Sequence, residues 1–245
     1  MNRDEALRIV DALYAAALGE AEFPVALSLI SDVLDGDVTT LEFMNRRERA
    51  VVHFEAVRLD PHKTEVYLRD WGATSSRAQY MLDTRHRIGF DQLFITEEEM
   101  DRDPYYADFL GRNGLRYFIS ANCPIDGDVQ GLISVQRLAR VRGVSDEHIR
   151  TMELLSPHIN RALRLFWTRR RHEIDPGYLD RMLAGHGLTP AERRLAAALA
   201  CGETPVAYAR RTSLSINTVY THYRRIKDKL DASRQAELVT RLRSL

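Results

Sequence analysis

Along the first two-thirds of the chain, the spacing of apolar positions switches between helical and strand periods. Residues 4–19 and 22–34 repeat apolar side chains three and four apart, predicting two amphipathic helices, the second opening near Pro24. Val38–Met44 and Ala50–Leu59 carry β-branched and aromatic residues around a polar turn at Asn45–Glu48, and predict a hairpin. Residues 63–85 are mostly helical in pattern, and a short helix over 104–111 ends at Gly111. Leu115–Ile125 and Val129–Leu138 predict a second hairpin across Asp126-Gly127-Asp128. Helices around a small antiparallel sheet make this part an α+β sandwich.

From Ser145 to Arg171 the pattern is that of one long helix. Ser145 can cap it, Asp146 and Glu147 suit its N-terminal end, and Arg169, Arg170 and Arg171 suit its C-terminal end. Ile149, Met152, Leu155, Ile159, Leu163 and Phe166 form an apolar stripe beyond what a single sandwich needs, which marks the helix as the pairing surface of a homodimer. Pro157 predicts a kink, or a break with a second helix starting there. Asp175-Pro176-Gly177 and Gly185-His186-Gly187 then bracket a short helix over Tyr178–Ala184. The expected organisation is a first domain over 1–171, a linker over 172–187 and a second domain over 188–245.

The second domain reads as four helices. Thr189-Pro190-Ala191-Glu192 combines a cap, a first-turn proline and a capping-box acid, and Gly202 stops that helix. Thr204-Pro205 repeats the start signal for a short helix to Arg211. Ser215 caps a third helix to about Leu230, and Ser233 opens a fourth. On the third helix, Val219, Tyr223, Ile226 and Leu230 share a buried face, while Asn217, Tyr220, Thr221 and Arg224 lie opposite. Thr218, His222, Arg225 and Lys229 form a cationic edge between them. A helix in a DNA major groove needs such faces, one to pack, one to meet base edges and one to meet phosphates. Tyr220, Thr221 and Arg224 are the candidate base contacts, with Arg224 suited to guanine. Thr218, Arg225 and Lys229 are the candidate backbone contacts.

Net charge strengthens that reading. The whole chain is neutral, yet residues 186–245 hold 11 Lys+Arg against 5 Asp+Glu, a net of +6, leaving −6 on the rest. A basic reader on an acidic body fits double-stranded DNA as partner. No apolar run is long enough for a membrane span, and the N-terminus lacks the order of a signal peptide. Cys123 and Cys201 have no ligand spacing, and with the other features imply reduced thiols in a cytoplasmic protein. His53, His62 and His86 make no metal pattern, and no phosphate-binding loop or catalytic constellation is present, so neither enzyme nor cofactor is expected.

Residues 188–242 resemble the C-terminal domain of LuxR-type regulators. The resemblance rests on LTPAE at 188–192, Gly202, the run NTVYTH at 217–222, Lys229-Leu230 and RQAEL at 234–238. It implies a dimeric, four-helix, helix-turn-helix DNA reader, with family base contacts at the positions of Tyr220, Thr221 and Arg224 and backbone contacts at those of Thr218 and Lys229. Val206 stands where the family usually has a cation, Ser213 where it has a turn glycine, and Tyr220 where it has Lys or Arg.

The first domain resembles the PAS- or GAF-like sensor half of a subset of these regulators, through LYAAAL at 13–18, YYADFLGRNGLR at 105–116 and SPHINRAL at 156–163. That implies recognition of a small molecule or a protein partner, with RNA polymerase as a further contact. Trp71, Tyr80 and Asp83 loosely match the set of acyl-homoserine-lactone receptors, but Thr84 follows where proline is expected. Tyr67, Trp71, Tyr80, Phe94 and Tyr117 are the candidate pocket liners. A filled core would favour the alternative, a ligand-free protein-interaction or dimerisation module on the same reader.

Overall fold

The computed structural model describes residues 1–47, 49–72, 74–126, 128–140, 143–173, 183 and 185–244. It divides into two compact units, Met1–Trp167 and Thr168–Leu245.

The first unit is mixed helix and antiparallel sheet. It opens with α1 (Arg3–Leu18), whose N-terminus is closed by an Asn2/Glu5 capping box, and α2 (Phe23–Val33), with proline in its first turn. Five strands follow in the sheet order β2-β1-β5-β4-β3: β1 (Val38–Asn45), β2 (Ala50–Val57), β3 (Ile88–Phe90), β4 (Leu115–Asp126) and β5 (Val129–Leu138). All pairs are antiparallel. Both expected hairpins are present, and β1 joins them by pairing with β5.

Between β2 and β3 lie α3 (Pro61–Val66), a π-helical turn at Tyr67–Trp71, and α4 (Ser76–Asp83). Between β3 and β4 lie α5 (Glu97–Arg102), capped by Thr96 and Glu99, and a second π-helical turn at Tyr105–Leu110. β3 and α5 add elements beyond those expected from the sequence.

Strand periodicity divides the sheet into two unlike faces. Leu41, Phe43, Ile119, Ala121, Cys123, Ile133 and Val135 pack into one apolar core with α1, α2 and α6 (Asp146–Glu173). The other face buries Thr40, Glu42, Ser120, Asn122, Gln130, Ser134 and Gln136. Burying that many polar groups requires internal partners. Ser134 donates to Ser120 Oγ at 2.8 Å, and Thr40 donates to Glu42 at 3.0 Å.

α6 runs through Pro157 without breaking. Proline there leaves the Glu153 carbonyl without its usual i+4 donor, and the Ser156 hydroxyl takes the place at 3.1 Å. The stripe expected to pair two protomers is spent inside one. Met152, Leu155, Ile159, Leu163 and Phe166 are all buried in the core under the sheet, so a pairing surface must be sought elsewhere.

The second unit contains α7 (Pro190–Ala200), α8 (Pro205–Thr212), α9 (Ile216–Lys229) and α10 (Gln235–Ser244). Leu195, Leu199, Tyr208, Val219, Ile226, Leu238 and Leu242 meet in its core. The expected helix at Tyr178–Ala184 lies outside the described residues, apart from the buried Leu183.

Candidate nucleic-acid interface and sensor interior

α9 is set up by local signals on both sides. Ser213 ends α8 in the left-handed region at φ +57°, and Ser215 then caps α9 through the Thr218 N–H at 3.1 Å. Val219 and Ile226 are fully buried, which fixes the face α9 turns to its own core. The opposite face is open: Asn217, Thr218, Tyr220, Thr221, Arg224 and Arg225 are all exposed. Tyr220 stands against Tyr223 edge-on at 6.3 Å, so its ring is held although 42% exposed. Thr221 donates to the Asn217 carbonyl at 2.9 Å and is itself exposed. Arg224 and Arg225 make no hydrogen bond or ion pair among the described residues, and both guanidiniums remain available to a polyanion.

Lys229 behaves differently from its expected role. Its ammonium donates to Glu192 Oε2 at 2.7 Å and to the Gly187 carbonyl at 2.9 Å. The Glu192 side chain is 1% exposed and also accepts from the Thr189 N–H at 2.8 Å. Burial pushes that carboxyl up, but the hydrogen bonds from Lys229 and Thr189 outweigh it and hold it below its ordinary value. Lys229 therefore ties the end of α9 to the cap of α7, while its side chain remains 35% exposed.

In the first unit the five expected pocket liners separate. Tyr67 and Trp71 join Tyr105 and Phe109 in an aromatic cluster, with ring centroids 5.6–5.8 Å apart for Trp71–Tyr105 and Tyr67–Phe109. Tyr80 and Phe94 instead stack on each other at 4.3 Å, beside Phe118. Tyr117 donates to Glu97 at 2.9 Å. Two small voids remain between the aromatic cluster and the polar face of the sheet, each about 20 Å³. Of the five, only Tyr67 borders them. Trp71, Tyr80, Phe94 and Tyr117 have found partners in packing instead. A void that small admits about one water, whereas ligand pockets run to about 300–1,000 Å³.

Residues that attracted no notice in the sequence organise this interior. Glu42, on β1, accepts from Tyr67 Oη at 2.8 Å, and its burial raises the carboxyl above its ordinary value despite that bond. Arg77, on α4, is 6% exposed and pairs with the fully buried Asp91 at 3.2 Å. It also reaches Tyr106 Oη and the Arg116 carbonyl, while Asp91 accepts from the Phe118 N–H at 2.6 Å and from Tyr106. The one available signal was an arginine on the same helix face as Ala78 and Met81, easily taken for a surface residue. Cys123 is buried in the core, and burial pushes its thiol up to about 12. Among the described residues no group of three or more His, Cys, Asp or Glu is placed to hold a metal, and no helix is long and apolar enough to cross a membrane.

No family model matches this sequence, and no curated protein matches it. Solved structures do resemble it. The LBD domain of VqsR from Pseudomonas aeruginosa superposes with a TM-score of 0.50 at 15% identity, covering 66% of this chain and 94% of that domain. SdiA from Escherichia coli gives a TM-score of 0.43 at 16% identity, covering 96% of this chain and 95% of that one. SdiA in complex with octanoyl-rac-glycerol gives 0.42 at 16% identity, over 99% and 93%. At such identities the likeness is one of fold, and the VqsR domain carries it: over the matched 66% this chain shares that domain's fold.

Proposed function

We propose that this chain is a sequence-specific DNA-binding transcriptional regulator of the LuxR type, acting as a homodimer, with a helix-turn-helix reader in its second unit and a sensory first unit. The observation that carries the reading is the exposed row Tyr220, Thr221 and Arg224 on a helix whose opposite face is locked by Val219 and Ile226. α9 would enter the major groove, with α8 crossing behind it. Arg224 would take a guanine edge, and Thr218 and Arg225 the phosphates flanking the groove. Arg210, exposed in the last turn of α8, is a further candidate for phosphate in place of the cation that Val206 does not supply.

The test is selection of bound sites from random duplex DNA, followed by titration at fixed salt. Arg224→Ala should relax preference at one base pair and cost about 1–3 kcal/mol there. Arg225→Ala should weaken all sequences alike and lower the salt slope by about one. Failure of the intact chain to enrich any sequence would refute the reading.

For the first unit, one observation favours the second reading, a module that holds no ligand inside. Tyr67, Tyr105, Phe109 and the Arg77–Asp91 network fill the space where an internal ligand would sit. An internal ligand would have to displace the Tyr67–Glu42 bond, and would be recognised by loss of that buried tyrosine's ultraviolet signature on binding. Under the second reading the unit works through its surface, with RNA polymerase as one candidate partner.

A further inference from the structure

Away from the filled interior, the first unit carries an open cleft of about 630 Å³ between the Thr84–Arg87 loop, the end of β4 and the middle of α6. Arg46, Arg85, Arg87, Arg161 and Arg164 line it, together with His86, and no carboxylate is among the described lining residues. None of the five guanidiniums has a hydrogen-bond or ion-pair partner among the described residues. That is unusual on a unit that is acidic overall, where carboxylates are available to neutralise cations. Arg161 and Arg164 also sit three apart on one helix face, a like-charge spacing that costs stability.

The cleft is braced. Asn122 holds the arginine loop to the sheet through its N–H to the Arg87 carbonyl at 2.7 Å and its amide to the His86 carbonyl at 3.0 Å. Gln130, itself 1% exposed, anchors the last turn of α4, just before the loop, through the Met81 carbonyl at 2.5 Å. On the opposite wall, α6 is a continuous helix packed on the core, so Asn160, Arg161 and Arg164 are presented from a rigid element. The backbones that carry the arginines are thus fixed on both walls, while the guanidiniums themselves stay free to adjust to a ligand.

The cleft continues into a second of about 410 Å³, sharing His86, Arg87, Ser156 and Pro157 with the first. Its remaining walls are mostly apolar: Ile88, Phe90, Leu93 and Ile149, with Glu153 at the rim. Leu93 is 42% exposed there, an apolar side chain left in water. We propose that this bipartite groove binds a small phosphorylated molecule, its phosphates among the arginines and its apolar or aromatic body on Phe90, Leu93 and Pro157. A nucleic-acid backbone fits less well, because it offers no apolar group to the second half, where Ile88, Phe90 and Leu93 line the wall. The site stands on the first unit alone and does not depend on the DNA-binding reading.

Isothermal titration of the full chain in low salt, with ATP, tripolyphosphate and adenosine as probes, tests this. ATP should bind most tightly, tripolyphosphate more weakly, and adenosine at least tenfold more weakly than ATP. R161E/R164E should weaken ATP and tripolyphosphate at least tenfold, and R85E/R87E should do the same if the first pair fails to fold. Leu93→Asp should weaken ATP but leave tripolyphosphate within twofold. The proposal is overturned if neither phosphate compound binds, or if folded R161E/R164E or R85E/R87E binds both as before. It is equally overturned if Leu93→Asp spares ATP, or if the arginine variants lose only affinity for duplex DNA.

Discussion

Lys229→Ala removes both hydrogen bonds that the ammonium makes within the second unit and leaves Glu192, 1% exposed, with no cation and only its partners at the Thr189 cap. Removing one member of a fully buried pair costs about 3–5 kcal/mol. Here the lysine side chain is 35% exposed, so water can reach the vacated position and reduce the cost to about 2 kcal/mol. The chain has two tryptophans, Trp71 and Trp167, and both lie in the first unit. Urea unfolding followed by tryptophan fluorescence therefore reports the first unit, and far-ultraviolet circular dichroism reports both. The variant should shift the part of the dichroism transition that fluorescence does not follow, and leave the fluorescence midpoint in place. Lys229→Arg should recover most of the loss. Because the Glu192 carboxyl is held below its ordinary 4.5, the clamp contributes in full above that pH and is lost as pH falls through the folded-state value. The gap between wild type and variant should accordingly close in acid. DNA titration gives the sharpest refutation: if the salt slope falls by about one in a variant of unchanged stability, Lys229 is a phosphate contact and the clamp is not its role.

Four further outcomes follow from the geometry. Arg77→Met removes the counter-charge of buried Asp91, leaving it the Phe118 N–H and Tyr106 as donors, and should cost the first unit about 3 kcal/mol, read by tryptophan fluorescence in urea. Glu42→Gln keeps an acceptor for Tyr67 while removing a buried charge whose ionisation is disfavoured. The Glu42 contribution to stability should fall as pH rises from 4.5 to its raised folded-state value, by at most about 1.4 kcal/mol per pH unit, so wild type should lose stability relative to the variant over that window in pH-dependent melting. Ser213→Gly relieves a left-handed serine at the turn between α8 and α9, and should stabilise the second unit by about 0.5–1 kcal/mol in dichroism-detected melting. Ser156→Ala should loosen the turn of α6 at Pro157, costing about 1 kcal/mol and raising amide exchange there, because the Glu153 carbonyl loses its donor.

The second unit was legible because its signals are local. Thr189 and Glu192, Thr204 and Pro205, and Ser215 each mark a helix start within four residues, and all three caps form. The two hairpins were legible for the same reason. What escaped depends on distant partners. β3 is three residues long and exists through its pairing with β4, too short for any period to show. α5 carried a capping box in Thr96 and Glu99, but six residues give no amphipathic repeat. The stripe of α6 is a true apolar face, yet the sequence could not say whether a sheet or a second protomer covers it. Lys229 lies on the cationic edge of α9 as its spacing requires, and only the placement of Glu192 some 37 residues earlier redirects it. The arginine cleft was hidden because its cations come from three separate segments.

The Lys229–Glu192 clamp bears on how the second unit could be re-engineered, given the proposed role of α9 in reading DNA. Specificity is commonly imagined as portable, with a recognition helix exchanged as a cassette between regulators. In this chain the end of α9, the proposed reading helix, is fastened to the capping acid of α7, so the sequence LTPAE and the sequence KL form one mechanical unit. A transplant of Asn217–Arg225 alone should keep the host's geometry and import only the base contacts. A transplant that runs through Lys229 into a host without an acid at the matching position would carry an orphaned cation with it, and would retarget the protein at the expense of the helix angle that makes targeting useful.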